Sequence, residues 1–192
     1  MAGVAGPMLR SSRSSGVRFL VGLAIGGIAA GIVLAVPTYL VGVLVQAAVP
    51  MQARLWLLAS VCALFGVADL ANRTPHLWRQ VPQRLVHVLP SGTLGMVWGF
   101  DLGLLFTTQK VVSLIWVAIA AVVLLGPALA VGVLAGTAMM VSLAIAVWSI
   151  TGKIGARPMT QLVKQWQKQV RRASGVAMLL LFLVTVVQAW QP

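Results

Sequence analysis

The stretch FLVGLAIGGIAAGIVLAVPTYLVGVLVQAAV (19–49) contains no charged residue. About 20 apolar residues are enough for a helix to cross a hydrocarbon core of roughly 30 Å. A run this long and this uniformly apolar has no polar face with which to meet water. Working outward, similar runs return at Leu55–Leu70, Leu94–Leu125, Ala128–Ile150 and Gly175–Trp190. The 192 residues are 60% hydrophobic and 8% charged, whereas a water-soluble domain carries about 25% charged residues. The predicted fold is therefore all-α, a polytopic transmembrane helix bundle of five spans forming one unit over residues 19–190. As straight helices the first and third runs would each measure roughly 47 Å, so they must tilt, kink or protrude. Pro37 removes an intrahelical donor from the first, and Thr107–Lys110 places a polar patch in the third. Dividing the first run at Pro37 gives six spans as the alternative, with a second piece too short to cross unaided.

Charge fixes an orientation. Fourteen Lys and Arg stand against two acids, Asp69 and Asp101, for a net charge of +12. Arg10, Arg13 and Arg18 precede the first run, and Arg73, Arg79 and Arg84 fall in the connection 72–91. Lys153, Arg157, Lys164, Lys168, Arg171 and Arg172 fall in the connection 151–174. Only Arg54 and Lys110 lie elsewhere. Five spans with a cytoplasmic N-terminus, in the cell membrane, bring the three basic segments (1–18, 72–91 and 151–174) to one face, as retention of positive loops requires. This clustering in loops argues against nucleic acid as the partner and for the lipid bilayer.

Small residues recur four apart at Gly22/Gly26, Gly27/Gly31, Gly95/Gly99/Gly103 and Gly132/Gly136. Such spacing makes a smooth strip along which another helix backbone approaches closely, within this chain, in a second copy or in another membrane protein. Residues 159–172 form an amphipathic element, with Met159, Leu162, Val163, Trp166 and Val170 on one side and Lys164, Lys168 and Arg171 on the other. Pro158 suits its first turn. Its expected place is the membrane surface, with Arg172 joining the basic stripe toward anionic lipid at the cytoplasmic face.

Chemistry-bearing constellations are sparse. His76 and His87 have no cysteine or carboxylate near them in sequence, so no metal site is expected. Two carboxylates in the chain make no acid–base centre, no phosphate loop or nucleophile motif is present, and no cofactor or enzymatic activity is implied. Asp101 is the exception to weigh, because an ionisable group inside a span is costly and faces protein or a wet cavity. It serves either a pathway or a structural hydrogen bond. Lys110, nine residues on, falls on the opposite face of a straight helix. The candidate intramembrane polar site is thus Asp101, Thr107, Thr108 and Lys110. The two halves also share a plan, in which an offset of about 72 residues superposes Gly27 on Gly99 and Gly31 on Gly103; as a repeat of two spans it would leave its units parallel.

The segments GMVWGFDLGLLFTTQKVVSLIWVAIA (95–120) and LVKQWQKQVRRASGVAMLLLFLVTVV (162–187), with AVPTYL (35–40), resemble the cytochrome c biogenesis and thiol–disulfide interchange membrane family. The first is similar to that family's glycine-rich helix leading to a Thr-Pro-Cys break, the second to its basic loop and last helix. The resemblance covers about half the chain and implies a shared helix arrangement. Where the family carries reactive cysteines this chain has Leu34–Pro37 and Thr108–Val112, and its one thiol is Cys62. Thiol–disulfide exchange across a membrane needs a cysteine pair, so a redox carrier is the disfavoured alternative. A transporter-like protein or accessory subunit without enzymatic activity is the first expectation, and a scaffold of a larger membrane complex the second.

Overall fold

The computed structural model describes residues 12–71, 73, 85, 88–104, 113–151 and 159–191, with 148–151 and 159–165 described by backbone alone. Among the described residues every regular element is helical. The α-helices are α1 (Arg13–Ala48), α2 (Met51–Leu70), α3 (Ser91–Gly103), α4 (Leu114–Leu125), α5 (Ala130–Thr151) and α6 (Met159–Trp190), and a 3-10 turn, Pro127–Leu129, leads into α5. The helices are compatible with an integral membrane protein. Among the described residues, four segments are long and apolar enough to cross a bilayer: Arg13–Ala48, Met51–Leu70, Pro127–Val147 and Trp166–Trp190.

The expected five is not confirmed, because the described part of the third apolar run holds two short helices. These are α3, of 13 residues, and α4, of 12 residues. Each measures roughly 18–20 Å, short of the hydrocarbon thickness. The first run does not divide: Pro37 lies inside α1, which continues for 36 residues. The amphipathic segment 159–172 is not a separate element either. It is the start of α6, which runs 32 residues to Trp190 without a break. Ser174 and Gly175 do not interrupt it, because their backbones stay helical where the side packs against α2.

The described residues belong to two compact units that interleave along the chain instead of following its sequential halves. The first draws on Met1–Ala35, Trp78–Gln109 and Val131–Arg157, the second on Val36–Leu77, Lys110–Ala130 and Pro158–Pro192. In the first, Phe19, Leu23, Leu94 and Trp98 form the core, with the Phe19 and Trp98 rings edge to face at 5.8 Å. In the second, Leu58, Cys62, Val117, Leu124 and Met178 do so.

Helix directions within each unit follow from which residues meet. In the first unit the glycines of α3 lie on α1 carbonyls in ascending order, Gly95 on Phe19, Gly99 on Leu23 and Gly103 on Gly27, while Gly22 and Gly26 lie on the carbonyls of Gly92 and Met96. Ascending against ascending means that α1 and α3 run parallel. Gly27 faces Ala138 and Ser142, whereas Gly31 faces Ala135, so α5 runs antiparallel to α1. In the second unit Gln52 donates to the Ala189 carbonyl at 3.3 Å, and Gly66 and Gly175 approach each other's carbonyls, so α2 and α6 are antiparallel.

Candidate functional site

Two carboxylates are the natural centres of a site in so apolar a chain, and the structure treats them differently. Asp69, in the last turn of α2, is 1% exposed. Its Oδ2 accepts the Ser113 N–H at 2.9 Å and the Ser174 hydroxyl at 3.0 Å. Its Oδ1 accepts the Ser113 hydroxyl at 2.7 Å. Ser113 is the N-cap of α4, yet its own side chain makes no cap hydrogen bond, because it is turned to Asp69. The carboxylate of α2 thus takes over the capping of α4, where the first N–H groups lack partners and the helix dipole favours negative charge.

The other end of α4 is held by the same helix. Arg54, near the start of α2, donates from Nη1 to the Leu124 carbonyl at 3.0 Å, where the dipole favours a cation. Helix α2 therefore complements a 12-residue helix at both termini, with Asp69 at the positive end and Arg54 at the negative end. Ser174 of α6 closes the arrangement. Neither Asp69 nor Arg54 was a sequence-level candidate. The available signal was their rarity, since a lone acid and a lone Arg bracket the apolar run of α2.

Asp101 is half-buried on α3, on the side away from the strip Gly95, Gly99 and Gly103 that packs on α1. Helix α3 ends two residues later, where Gly103 meets Gly27 and Ala30. Those α1 residues lie 8–11 positions after Phe19, where the apolar run begins, or about 12–17 Å along the helix. The C-terminal end of α3, which carries partial negative charge, thus lies about a third of the way along the apolar run of α1. Thr107, Thr108 and Lys110 of the expected polar site lie outside the described residues, as do His76 and His87.

Among the helix-packing glycines, Gly22, Gly26, Gly31, Gly95, Gly99 and Gly103 make close backbone approaches, and Gly27 an ordinary one. Gly132 and Gly136 do not: a Cβ added at either meets nothing within 4 Å. Their side of α5 is exposed together with Met140, Leu143 and Val147. Of the basic residues, Lys168 and Arg172 are exposed and Arg171 is half-buried; the Lys164 side chain lies outside the described residues. Among the described residues no three His, Cys, Asp or Glu group as for a metal. Cys62 is buried in the core of the second unit. Comparison with protein-family models, with curated proteins and with solved structures finds no match for this chain.

Proposed function

We propose that this integral membrane protein is a non-catalytic, transporter-like protein that passes a proton or monovalent cation past Asp101. One observation carries the proposal: α3 stops part-way along α1, with an acidic side chain in its last turn. Polar backbone ends inside a bilayer are tolerated where protein or a wet cavity surrounds them. In transporters the ends of such half-length helices, carbonyl side inward, favour cations. A carboxylate beside that end adds to the same field. The burial of Cys62 among Leu58, Val117 and Met178 gives a thiol–disulfide role no support.

Purified protein in liposomes, with an entrapped pH dye and an imposed potassium diffusion potential, tests the proposal; a parallel assay follows sodium entry. The expected result is flux above protein-free liposomes that falls at least tenfold in Asp101→Asn. Wild-type protein without flux of either ion, or unchanged flux in the variant, overturns it.

A second reading, accessory subunit or scaffold, is favoured by the exposed Gly132/Gly136 side of α5, where the smooth strip has no neighbour within 4 Å. Gly136→Leu would then release a partner that co-purifies with the wild type from its own membrane, without changing the protein's abundance.

A further inference from the structure

We infer that one end of the second unit is a binding site for the headgroups of anionic phospholipids, built jointly by α2 and α6. Its depth comes from the opposite end. Trp190 is 75% exposed and Trp56 40% exposed, and their rings stand edge to face with centroids 6.3 Å apart. Paired exposed tryptophans at helix ends mark a membrane–water boundary. From Trp190 back to Arg172 is 18 residues of unbroken helix, about 27 Å, which matches the hydrocarbon thickness. Arg171 and Arg172 therefore fall at the level of the lipid phosphates on the other side.

The cations converge on the end of α2 and do not form a plain surface stripe. Arg171 and Lys168 continue, at helical spacing, the side of α6 whose Ser174 and Gly175 touch Asp69 and Leu70 of α2. Helix α2 ends at Leu70, so this side of α6 carries on beyond it, and exposed Arg73 emerges at the same place. Trp166, 66% exposed, points away from that side of α6, toward the surrounding membrane boundary.

Protein carboxylates leave this end with a net positive charge. Arg73, Lys168, Arg171 and Arg172 lie at this end beside one acid, Asp69, and the chain's other acid, Asp101, belongs to the other unit. Phosphodiester headgroups at the depth just derived supply the balancing charge, with each basic group near such a surface adding to the attraction. Arg side chains fit phosphate oxygens pairwise.

Native mass spectrometry of the full chain, released from nanodiscs of equal phosphatidylglycerol and phosphatidylcholine, counts the lipids that stay bound. Wild-type protein should retain phosphatidylglycerol in clear preference. Lys168→Gln with Arg172→Gln, both at exposed positions, should cut the preference roughly thirtyfold. Arg73→Gln, on the other helix, should cut it about fivefold. Folding of each variant is checked by protection of Cys62 from a thiol dye in phosphatidylcholine alone. Equal retention of both lipids, an Arg73→Gln variant with unchanged preference, or displacement of the lipid by millimolar inorganic phosphate overturns the inference.

Discussion

Asp69 is buried at the cost of desolvating a carboxylate, and that cost is offset by one backbone N–H and two hydroxyls within 3.0 Å. Removing the acceptor strands those donors, each worth about 1–3 kcal/mol when buried and unsatisfied. Asp69→Ala should therefore destabilise the second unit by about 2–4 kcal/mol. Asp69→Asn should cost under about 1.5 kcal/mol, since an amide oxygen at the Oδ2 position keeps the two bonds there while its NH2 donates to Ser113 Oγ. Cys62, 1% exposed in the same unit, is a built-in reporter, and its reaction with a thiol dye on heating measures both variants. Equal midpoints for Asp69→Ala and wild type would remove the network from the stability of the unit. The network was not legible in the sequence for a plain reason: Ser113 and Ser174 stand 44 and 105 positions from Asp69. An acid at the end of an apolar run looks like any residue leaving the membrane. Asp101 drew attention because its neighbours in sequence are apolar on both sides.

At the scale of elements, what a glycine does depends on what faces it. Gly99 lies on the Leu23 carbonyl, with Leu23 Cα 2.9 Å from where a Cβ would sit, so a methyl there has to push the α1 and α3 backbones away from each other. Gly99→Ala should destabilise the first unit by about 1–3 kcal/mol, the usual range for overpacking. Gly136→Ala adds its methyl to open space and should leave the thermal midpoint unchanged or raise it, since alanine is the better helix former. Circular dichroism in detergent during heating distinguishes the two; equal loss in both would mean that the spacing alone, not the neighbour, decides. Sequence spacing could not rank the strips, because Gly132/Gly136 and Gly95/Gly99 read identically until a second helix is placed, and it passed over the close approach of Gly66 to Gly175. The same limit hid the division of the third run. Leu94–Leu125 is apolar enough for a single span, and the start of α4 at Ser113 is supported by a tertiary contact, the cap borrowed from Asp69. The apolar runs themselves were legible, because a helix in lipid must satisfy its backbone internally and advertises this by length and hydropathy.

For the whole molecule the outstanding prediction concerns sidedness, and each unit contributes to it independently. In the first unit α1 and α3 are parallel and α5 antiparallel to both, so the start of α1, the start of α3 and the end of α5 share one end. Arg13 and Arg18 stand at that end, and the basic connections 72–91 and 151–174 join it in sequence. In the second unit the end of α2, with Arg73 just beyond it, lies beside the middle of α6 at Ser174, with Lys168 and Arg171 on the preceding turns, because those helices are antiparallel. Helix direction within the units and charge along the chain are separate observations, one geometric and one compositional. Helix direction brings basic ends together within each unit, and charge along the chain predicts that these segments are held on the cytoplasmic side. Single cysteines at Gln83 and at Gln167, each in a Cys62→Ala background, should therefore react with an impermeant reagent only from the cytoplasmic face, and a cysteine at Gln191 only from the other. The background substitution should itself leave abundance and any measured flux unchanged, since Cys62 packs as a small apolar side chain. Labelling of Gln83 and Gln167 from opposite faces would reject the shared basic face, and with it the placement of Arg171 and Arg172 among cytoplasmic phosphates.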